Sequence, residues 1–437
     1  MNWQEDYQRK LTSADEAAKL VSKVDHWLLQ SGFSIPPAFS AALGRRAAAG
    51  ELEKVKIVEG YALAFHDYFR PEYKDFFEVS TIFMGPAERA ALQMGTVDYV
   101  PGHLSNAEAW LIFDNIKKVS QVVTPPDENG YMNRSCFGGL LSKSFFDNAD
   151  TIVVEINENT PWTYGDEQQV HVSQCSAIIE NNFPLVETPE IPITKVEEAI
   201  AAIIVDMIPD GSTIQLGLGG LANCVGHFLE SKKHLGVHSE CITNSIMELI
   251  KCGAIDCSQK NFYPGKVAYG FVAGTNELYK WVDHNDALQV VPMGYLNNSA
   301  VIALNDNLVS VNNTLMVDLT GQAGSETLGT RQYSATGGQV NFVLGAQGSK
   351  NGKSILALPS VNETKAGVRT STILSTFPVG TITSTTRNDV DWIVTEYGAR
   401  KLKFKPLSWR AKNLIAIAHP DFREELTFQA KKIGWIS

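Results

Sequence analysis

Several things are scarce in this chain, and each scarcity closes off a class of protein. It has no run of 18 apolar residues, which excludes an ordinary membrane-spanning helix. Basic residues are the minority charge, 37 against 48 acidic, for a net charge of -11. With no Lys/Arg block either, a broad nucleic-acid-binding face is excluded. Cysteine is sparse: Cys136, Cys175, Cys224, Cys241, Cys252 and Cys257 show no C-x-x-C pair and no regular framework. They read as reduced thiols of a cytoplasmic protein. The N-terminus, MNWQEDYQRK, lacks the apolar stretch of a secretory signal.

What remains is a globular composition, 44% apolar and 19% charged. A length of 437 residues exceeds one ordinary core, so two domains are expected. The segment 184–192, PLVETPEIP, sustains neither a helix nor a central strand. It divides an N-terminal α/β domain, 1–184, from a C-terminal one, 194–437, with 185–193 as linker.

The two halves begin alike. Ser13 and Glu16 form an S-x-x-E capping box ahead of a helical stripe, and Thr194 and Glu197 form another. A strand follows each, ending at Gly32 and at Gly217. Asp25 to Asp210 and Gly32 to Gly217 are both separations of 185 residues, as expected of a duplicated α/β unit. The copies then diverge. Gly219 and Gly220 follow the second strand, whereas Ser34, Ile35, Pro36 and Pro37 follow the first. Proline has no N–H to offer, so the chemistry is expected on the second half.

That half is organised around 213–240, TIQLGLGGLANCVGHFLESKKHLGVHSE. A β-prone run breaks on Gly217, Gly219 and Gly220, and from Leu221 the apolar residues fall at helical spacing. Backbone N–H groups at such a helix N-terminus suit an anion or a developing oxyanion. A short strand over 235–239 brings Glu240 to its carboxyl end, the edge where open α/β sheets bind ligands. Three readings stay open on these residues alone. Gly217, Gly219 and Ala222 match a dinucleotide fingerprint with an acid 18 residues on. Glu240 can instead be a nucleophile served by glycine amides. The third reading is a tight βα turn beside a solvated acid.

Further β-prone segments are expected at 55–58, 151–156, 268–273, 288–292, 301–304, 314–319, 354–358 and 392–395, and helices at 87–94, 105–116 and 422–432. His234 and His238 are four apart, but they fall on a strand and lack a third ligand, so no metal is expected. No Ser or Cys sits in a G-x-S-x-G elbow.

Eight motifs, in order, carry a family resemblance. They are VPGHLS at 100–105, DENGYM at 127–132, LGVHSE at 235–240 and DLTGQ at 318–322. GGQVNF at 337–342, GKSILALPS at 352–360, TEYGAR at 395–400 and IAHPDFREEL at 417–426 complete the set. Together they resemble the acetyl-CoA hydrolase/transferase family, which includes 4-hydroxybutyrate and butyryl-CoA:acetate CoA-transferases. The resemblance implies two related open α/β CoA-transferase-type domains with the active site at their junction. It implies Glu240 as nucleophile and Gly219 and Gly220 as oxyanion donors. CoA contacts would come from Gly217, Leu218, Gly219, Gly220, Leu221, Gly337 and Gly338.

Two positions depart from the pattern. Glu240-Cys241-Ile242-Thr243-Asn244-Ser245 stands where Glu-Met-x-Ser-Asp-Gly is usual, and Asn341 replaces an Asp. Arg134 follows the DENGYM loop where an apolar residue is usual. It is the candidate ligand for the second carboxylate of a dicarboxylate such as succinate or itaconate, with His103 as a second substrate candidate. Gln339 and Lys353 are further candidates for CoA.

The expected activity is transfer of CoA between an acyl-CoA and a short-chain carboxylic acid through a glutamyl-CoA thioester. An acyl-CoA hydrolase using the same glutamate, or an inactive CoA-binding protein, are the alternatives. CoA or its acyl ester is a substrate, with no tightly bound cofactor, no nucleic acid and no membrane partner. A cytoplasmic homo-oligomer is expected.

Overall fold

The computed structural model describes residues 2–188 and 192–437. Residues 189–191 of the expected linker lie outside the described residues. The chain divides into two compact α/β units, Met1–Thr188 with Ala268–Leu296, and Pro189–Val267 with Asn297–Ser437. A single cut at 185–193 would leave 268–296 in the second unit. The structure groups it with the first because main-chain bonds tie it there. Thr188 N donates to Gly274 O (2.9 Å), His284 N to Trp162 O (2.9 Å), Val290 N to Tyr164 O and Asp166 N to Val290 O (both 2.9 Å).

In the first unit seven parallel strands pair in the order Val97–Tyr99, Phe77–Thr81, Lys54–Gly60, Val24–Ser31, Lys118–Val123, Thr151–Ile156, Ala177–Glu180. Both faces are covered, as a parallel sheet requires. Trp27, Leu29, Ile57 and Val153 pack with Phe39 and Leu43 of the helix Pro37–Ala48. The alternate residues Leu28, Val58, Val119 and Val154 pack with Phe145 and Ile178 on the opposite face. Each such side chain contributes about 1.5–3 kcal/mol when fully buried.

In the second unit six strands pair in the order Gly236–Ile242, Thr213–Leu216, Leu308–Asn313, Lys353–Ala357, Trp392–Thr395, Gly398–Lys401. The first five are parallel and the last is antiparallel. The duplication read from the capping boxes is present in both sheets. Val24–Ser31 lies between Lys54–Gly60 and Lys118–Val123, and Thr213–Leu216 lies between Gly236–Ile242 and Leu308–Asn313. In each unit the connections run to opposite sides of that central strand. Its carboxyl end is therefore a topological switch point, where a crevice opens.

The preceding helices start as their caps dictate. Ser13 Oγ accepts from Glu16 N (3.2 Å). Thr194 and Glu197 form a complete capping box on Lys195–Asp206. Three expectations need correction. Residues 301–304 were expected as strand, but Ser299–Ile302 is a short helix, because the Asn298 side chain accepts from Ala300 N and caps it. The strand Leu308–Asn313, next to the central one, was not anticipated. Glu240 lies within the strand Gly236–Ile242 rather than just beyond its end.

Candidate active site

Gly217 ends the central strand of the second unit. Its N–H donates to Val311 O at 3.1 Å, which holds the loop to the neighbouring strand. Gly219 has φ +115 and ψ 177, a backbone that only glycine adopts freely. The turn opens the helix Gly220–Phe228, which has no side-chain cap. By helix geometry its first N–H groups lack an intrahelical partner. Gly226 seats this helix against the next, Asn244–Lys251, where a Cβ would lie 2.5 Å from the Ser245 Cβ. Ser245, one of the departures from the family pattern, also pairs with Thr243 Oγ1 at 3.0 Å.

The adjacent strand carries Glu240. Thr213 pairs with Gly236 and Ile214 with Val237, and Ser239 Oγ donates to Leu216 O at 3.2 Å. Continued by that register, Glu240 lies level with Gly217, where the glycine loop begins. Its side chain is partly buried and accepts a hydrogen bond from Asn297 Nδ2 at 2.6 Å on Oε1. Desolvation pushes the Glu240 carboxyl up to about 7, while the Asn297 bond pulls the other way. Asn297 is fully buried, and its Oδ1 has no partner. The amide is thus committed to orienting the carboxylate.

A second glycine closes on the same group. A Cβ on Gly338 would lie 2.0 Å from Glu240 Oε1 and 2.4 Å from Asn297 Nδ2, so no other residue fits without displacing the carboxylate. Gly338 is also the N-cap of the helix Gln339–Gly348, again with no side-chain cap. That places the positive end of a helix dipole beside Glu240. One turn on, Phe342 packs on the buried ring of His238 (6.1 Å between centroids), and His238 Nδ1 lies 3.2 Å from Asn305 Nδ2.

The structure thus brings together Glu240, Gly338 and Asn297, with Gly217, Leu218, Gly219, Gly220 and Leu221 on the loop after the neighbouring strand. Sequence reading missed Asn297. It lies 57 positions from Glu240 in no recognised motif, so no local signal marked it.

Other candidates sit elsewhere. Arg134 is a correction. It is 1% exposed, and its guanidinium is used on main-chain carbonyls, Leu141 O (2.5 Å), Glu167 O (3.2 Å) and Gly138 O, with Phe146 stacked on it at 4.2 Å. Those donors hold the 135–141 loop and are not available to a substrate carboxylate. His103 belongs to the first unit, half-buried, with Nδ1 unpartnered. Gln339 Nε2 donates to Thr385 Oγ1 (3.1 Å) and Lys353 Nζ to Met207 O (2.7 Å), so both cap local structure. His234 pairs with Asp256 at 2.7 Å. All six cysteines are free thiols.

Family models match both parts of the chain: the acetyl-CoA hydrolase/transferase N-terminal domain over residues 1–190 and its C-terminal domain over 274–430. A 4-hydroxybutyrate coenzyme A transferase of Clostridium kluyveri is 36% identical over 99% of this chain and 100% of its own. The chain belongs to the acetyl-CoA hydrolase/transferase family. Within it, a succinyl-CoA:cyclohexane-1-carboxylate CoA transferase of Geobacter metallireducens is 37% identical over 100% of this chain and 98% of its own. Among solved structures, RipA from Yersinia pestis superposes with a TM-score of 0.93 at 33% identity, covering both chains fully. A 4-hydroxybutyrate CoA-transferase from Porphyromonas gingivalis gives 0.80 at 32% identity over 99% of this chain and 100% of its own. With full-length relatives of this identity named CoA-transferases, the family member described here is an enzyme of the CoA-transferase class.

Proposed function

We propose that the protein moves CoA between an acyl-CoA and a short-chain carboxylic acid through a covalent intermediate on Glu240. The observation that carries this is the Glu240 carboxylate itself. It is partly desolvated, oriented by one amide, and packed against Gly338 at an uncapped helix N-terminus.

The chemistry follows from those groups. Ionised Glu240 attacks the thioester carbonyl, and the CoA thiolate leaves, giving an acyl-glutamyl anhydride. The thiolate attacks the glutamyl carbonyl, releasing the first acid and leaving a glutamyl-CoA thioester. The incoming carboxylate then attacks that thioester, and the thiolate attacks the new acyl carbonyl, regenerating Glu240. Each addition puts charge on a carbonyl oxygen, and preorganised N–H donors stabilise it by about 3 kcal/mol each. Gly219, Gly220 and the first turn of Gln339–Gly348 are the donors in this reading.

Relatives of about this identity are named for 4-hydroxybutyrate, butyrate and cyclohexane-1-carboxylate, and two of them also for succinyl-CoA or succinate, so their names do not choose between a mono- and a dicarboxylate. With Arg134 committed to carbonyls, the argument for a second carboxylate loses its cation. CoA and its esters act as substrates in this reading, without a tightly bound cofactor, in a cytoplasmic homo-oligomer. Light scattering after size exclusion tests the assembly.

The decisive experiment is intact mass spectrometry after incubation with acyl-CoA and no acceptor, followed by borohydride. A CoA adduct on Glu240, converted by borohydride to the alcohol, supports transfer. Release of free CoA at the same rate with and without acceptor would instead identify a hydrolase, which forms the same adduct and passes it to water. CoA binding with neither adduct nor turnover would identify a binding protein.

A further inference from the structure

His238 lies two residues before Glu240 on the strand Gly236–Ile242, so the two side chains leave the same face of the sheet. The His238 side chain is fully buried. Phe262 and Phe342 flank its ring, at 5.8 and 6.1 Å between centroids. Asn305 Nδ2 lies 3.2 Å from Nδ1 and also donates to Ile302 O at 3.3 Å. That second bond fixes which end of the amide is the nitrogen. Nδ1 is therefore the acceptor, and the imidazole is neutral with its proton on Nε2.

The three segments that meet at this ring are the ones that bring Glu240, Asn297 and Gly338 together. The strand carries Glu240. Asn297 and Asn305 bracket the short helix Ser299–Ile302, and Asn297 Nδ2 donates to Glu240 at 2.6 Å. Phe342 is one turn from Gly338 on the helix Gln339–Gly348, and Gly338 stands against both Glu240 and Asn297. The two helices are also locked to each other. Ser299 Oγ donates to Asn341 O at 3.0 Å, and a Cβ on Gly345 would lie 2.4 Å from Ile302 Cγ2. A frame packed this closely passes a shift at one joint to the others. The reaction sequence makes no use of His238, whose Nδ1 is committed to Asn305.

We propose that His238 is a positioning residue, a neutral imidazole that holds Asn305 through Nδ1 and Phe342 through its ring, and so sets Asn297 and Gly338 against Glu240. It acts through those groups and not on the reacting atoms. A misplacement of about 1 Å at such a carboxylate costs on the order of 100-fold in rate. The proposal rests on the reading of Glu240 as nucleophile, but its first test needs no turnover.

His238→Phe keeps a buried ring and removes the acceptor. The Glu240 carboxyl is followed by carboxyl-carbon NMR without substrate, its signal assigned against Glu240→Gln. Loss of the Asn297 bond raises the titration midpoint, so His238→Phe is expected to move it up, as Asn297→Ala does. Steady-state kcat is expected to fall about 30-fold, with KM for acyl-CoA within about twofold of the parent. In the double variant with Asn297→Ala, kcat is expected within about threefold of Asn297→Ala alone, because both changes break one linkage. Asn305→Leu removes the same bond from the other side and leaves the ring in place. It is expected to reproduce each of these results, and it decides the matter if His238→Phe does not fold. An unmoved midpoint, losses that multiply in the double variant, or a KM that rises as much as kcat falls overturns the proposal. A parent that forms no CoA adduct on Glu240 would sink the functional reading instead, and the NMR midpoint would still decide the role of His238.

Discussion

The two units solve the same local problem in opposite ways. Each has a central strand that ends at a switch point and feeds a helix whose first N–H groups need acceptors. In the first unit the acceptor is internal. Glu155, fully buried on the strand Thr151–Ile156, accepts from Ala38 N on both oxygens (3.2 and 3.1 Å) and from Phe39 N at 3.1 Å. Asn181 Nδ2 adds a bond of 2.6 Å. Burial raises the Glu155 pKa and these bonds pull it down. The helix end is closed and its dipole is used. In the second unit neither Gly220–Phe228 nor Gln339–Gly348 has a side-chain cap, and Glu197 only stands beside the first of them. One copy puts its carboxylate into stability; the other leaves N–H groups open for a ligand. Pro36 and Pro37 suggested that the first copy lacks the cradle. The fuller reason is that the donors it does have, Ala38 and Phe39, are already bonded.

Breaking the functional side gives the largest expected effect. Glu240→Gln keeps volume and removes the nucleophile, so transfer should fall at least ~1000-fold, about 4 kcal/mol in barrier, measured as steady-state kcat. Activity within tenfold of the parent would sink Glu240 as nucleophile. Gly338→Ala comes next. Its Cβ has no space beside Glu240 and Asn297, so the carboxylate must move, and kcat should drop about 100-fold. If KM rises as much while kcat holds, Gly338 serves binding rather than orientation.

The structural side is probed by Glu155→Ala. Removing a buried carboxylate that satisfies two helix N–H groups should cost about 2–4 kcal/mol in urea unfolding. The folded fraction should keep its kcat, and a loss of turnover without a loss of stability would erase the contrast between the units.

The smallest effect is in pH dependence. With its carboxyl raised to about 7, Glu240 is protonated and inert below that value, so kcat/KM should rise with pH and level off above 7. Asn297→Ala removes the bond that favours the ionised form, so the rise should move to higher pH. An unmoved or downward-shifted limb contradicts the orienting role of Asn297. Stability runs the other way. A raised carboxyl pKa gives stability that is full below about 4.5 and lost as pH rises through about 7. Glu240→Gln should therefore raise the melting temperature relative to the parent at pH 8 more than at pH 4.

How much was legible in the sequence depended on range. Capping boxes, the glycine break after 216 and the 185-residue offset are local patterns, and the paired units followed from them. The strand Leu308–Asn313 was missed because its two asparagines weaken the β signal. In the sheet Asn312 is satisfied by a reciprocal amide pair with Gln215, at 3.0 and 3.1 Å, across 97 positions. Arg134 was misread for a related reason: a chain position beside a motif says nothing of which carbonyls surround it.

The sequence by itself determined the family, the α/β class, the duplication and the nucleophile candidate, because helix caps, glycine breaks and motif order are properties of neighbouring residues. Only the tertiary structure decided which groups meet that nucleophile. Asn297 and Gly338 reach Glu240 from 57 and 98 positions away, and Glu155 reaches Ala38 across 117. Contacts of that range arise from the stacking of sheet edges and helix ends, which no local pattern encodes.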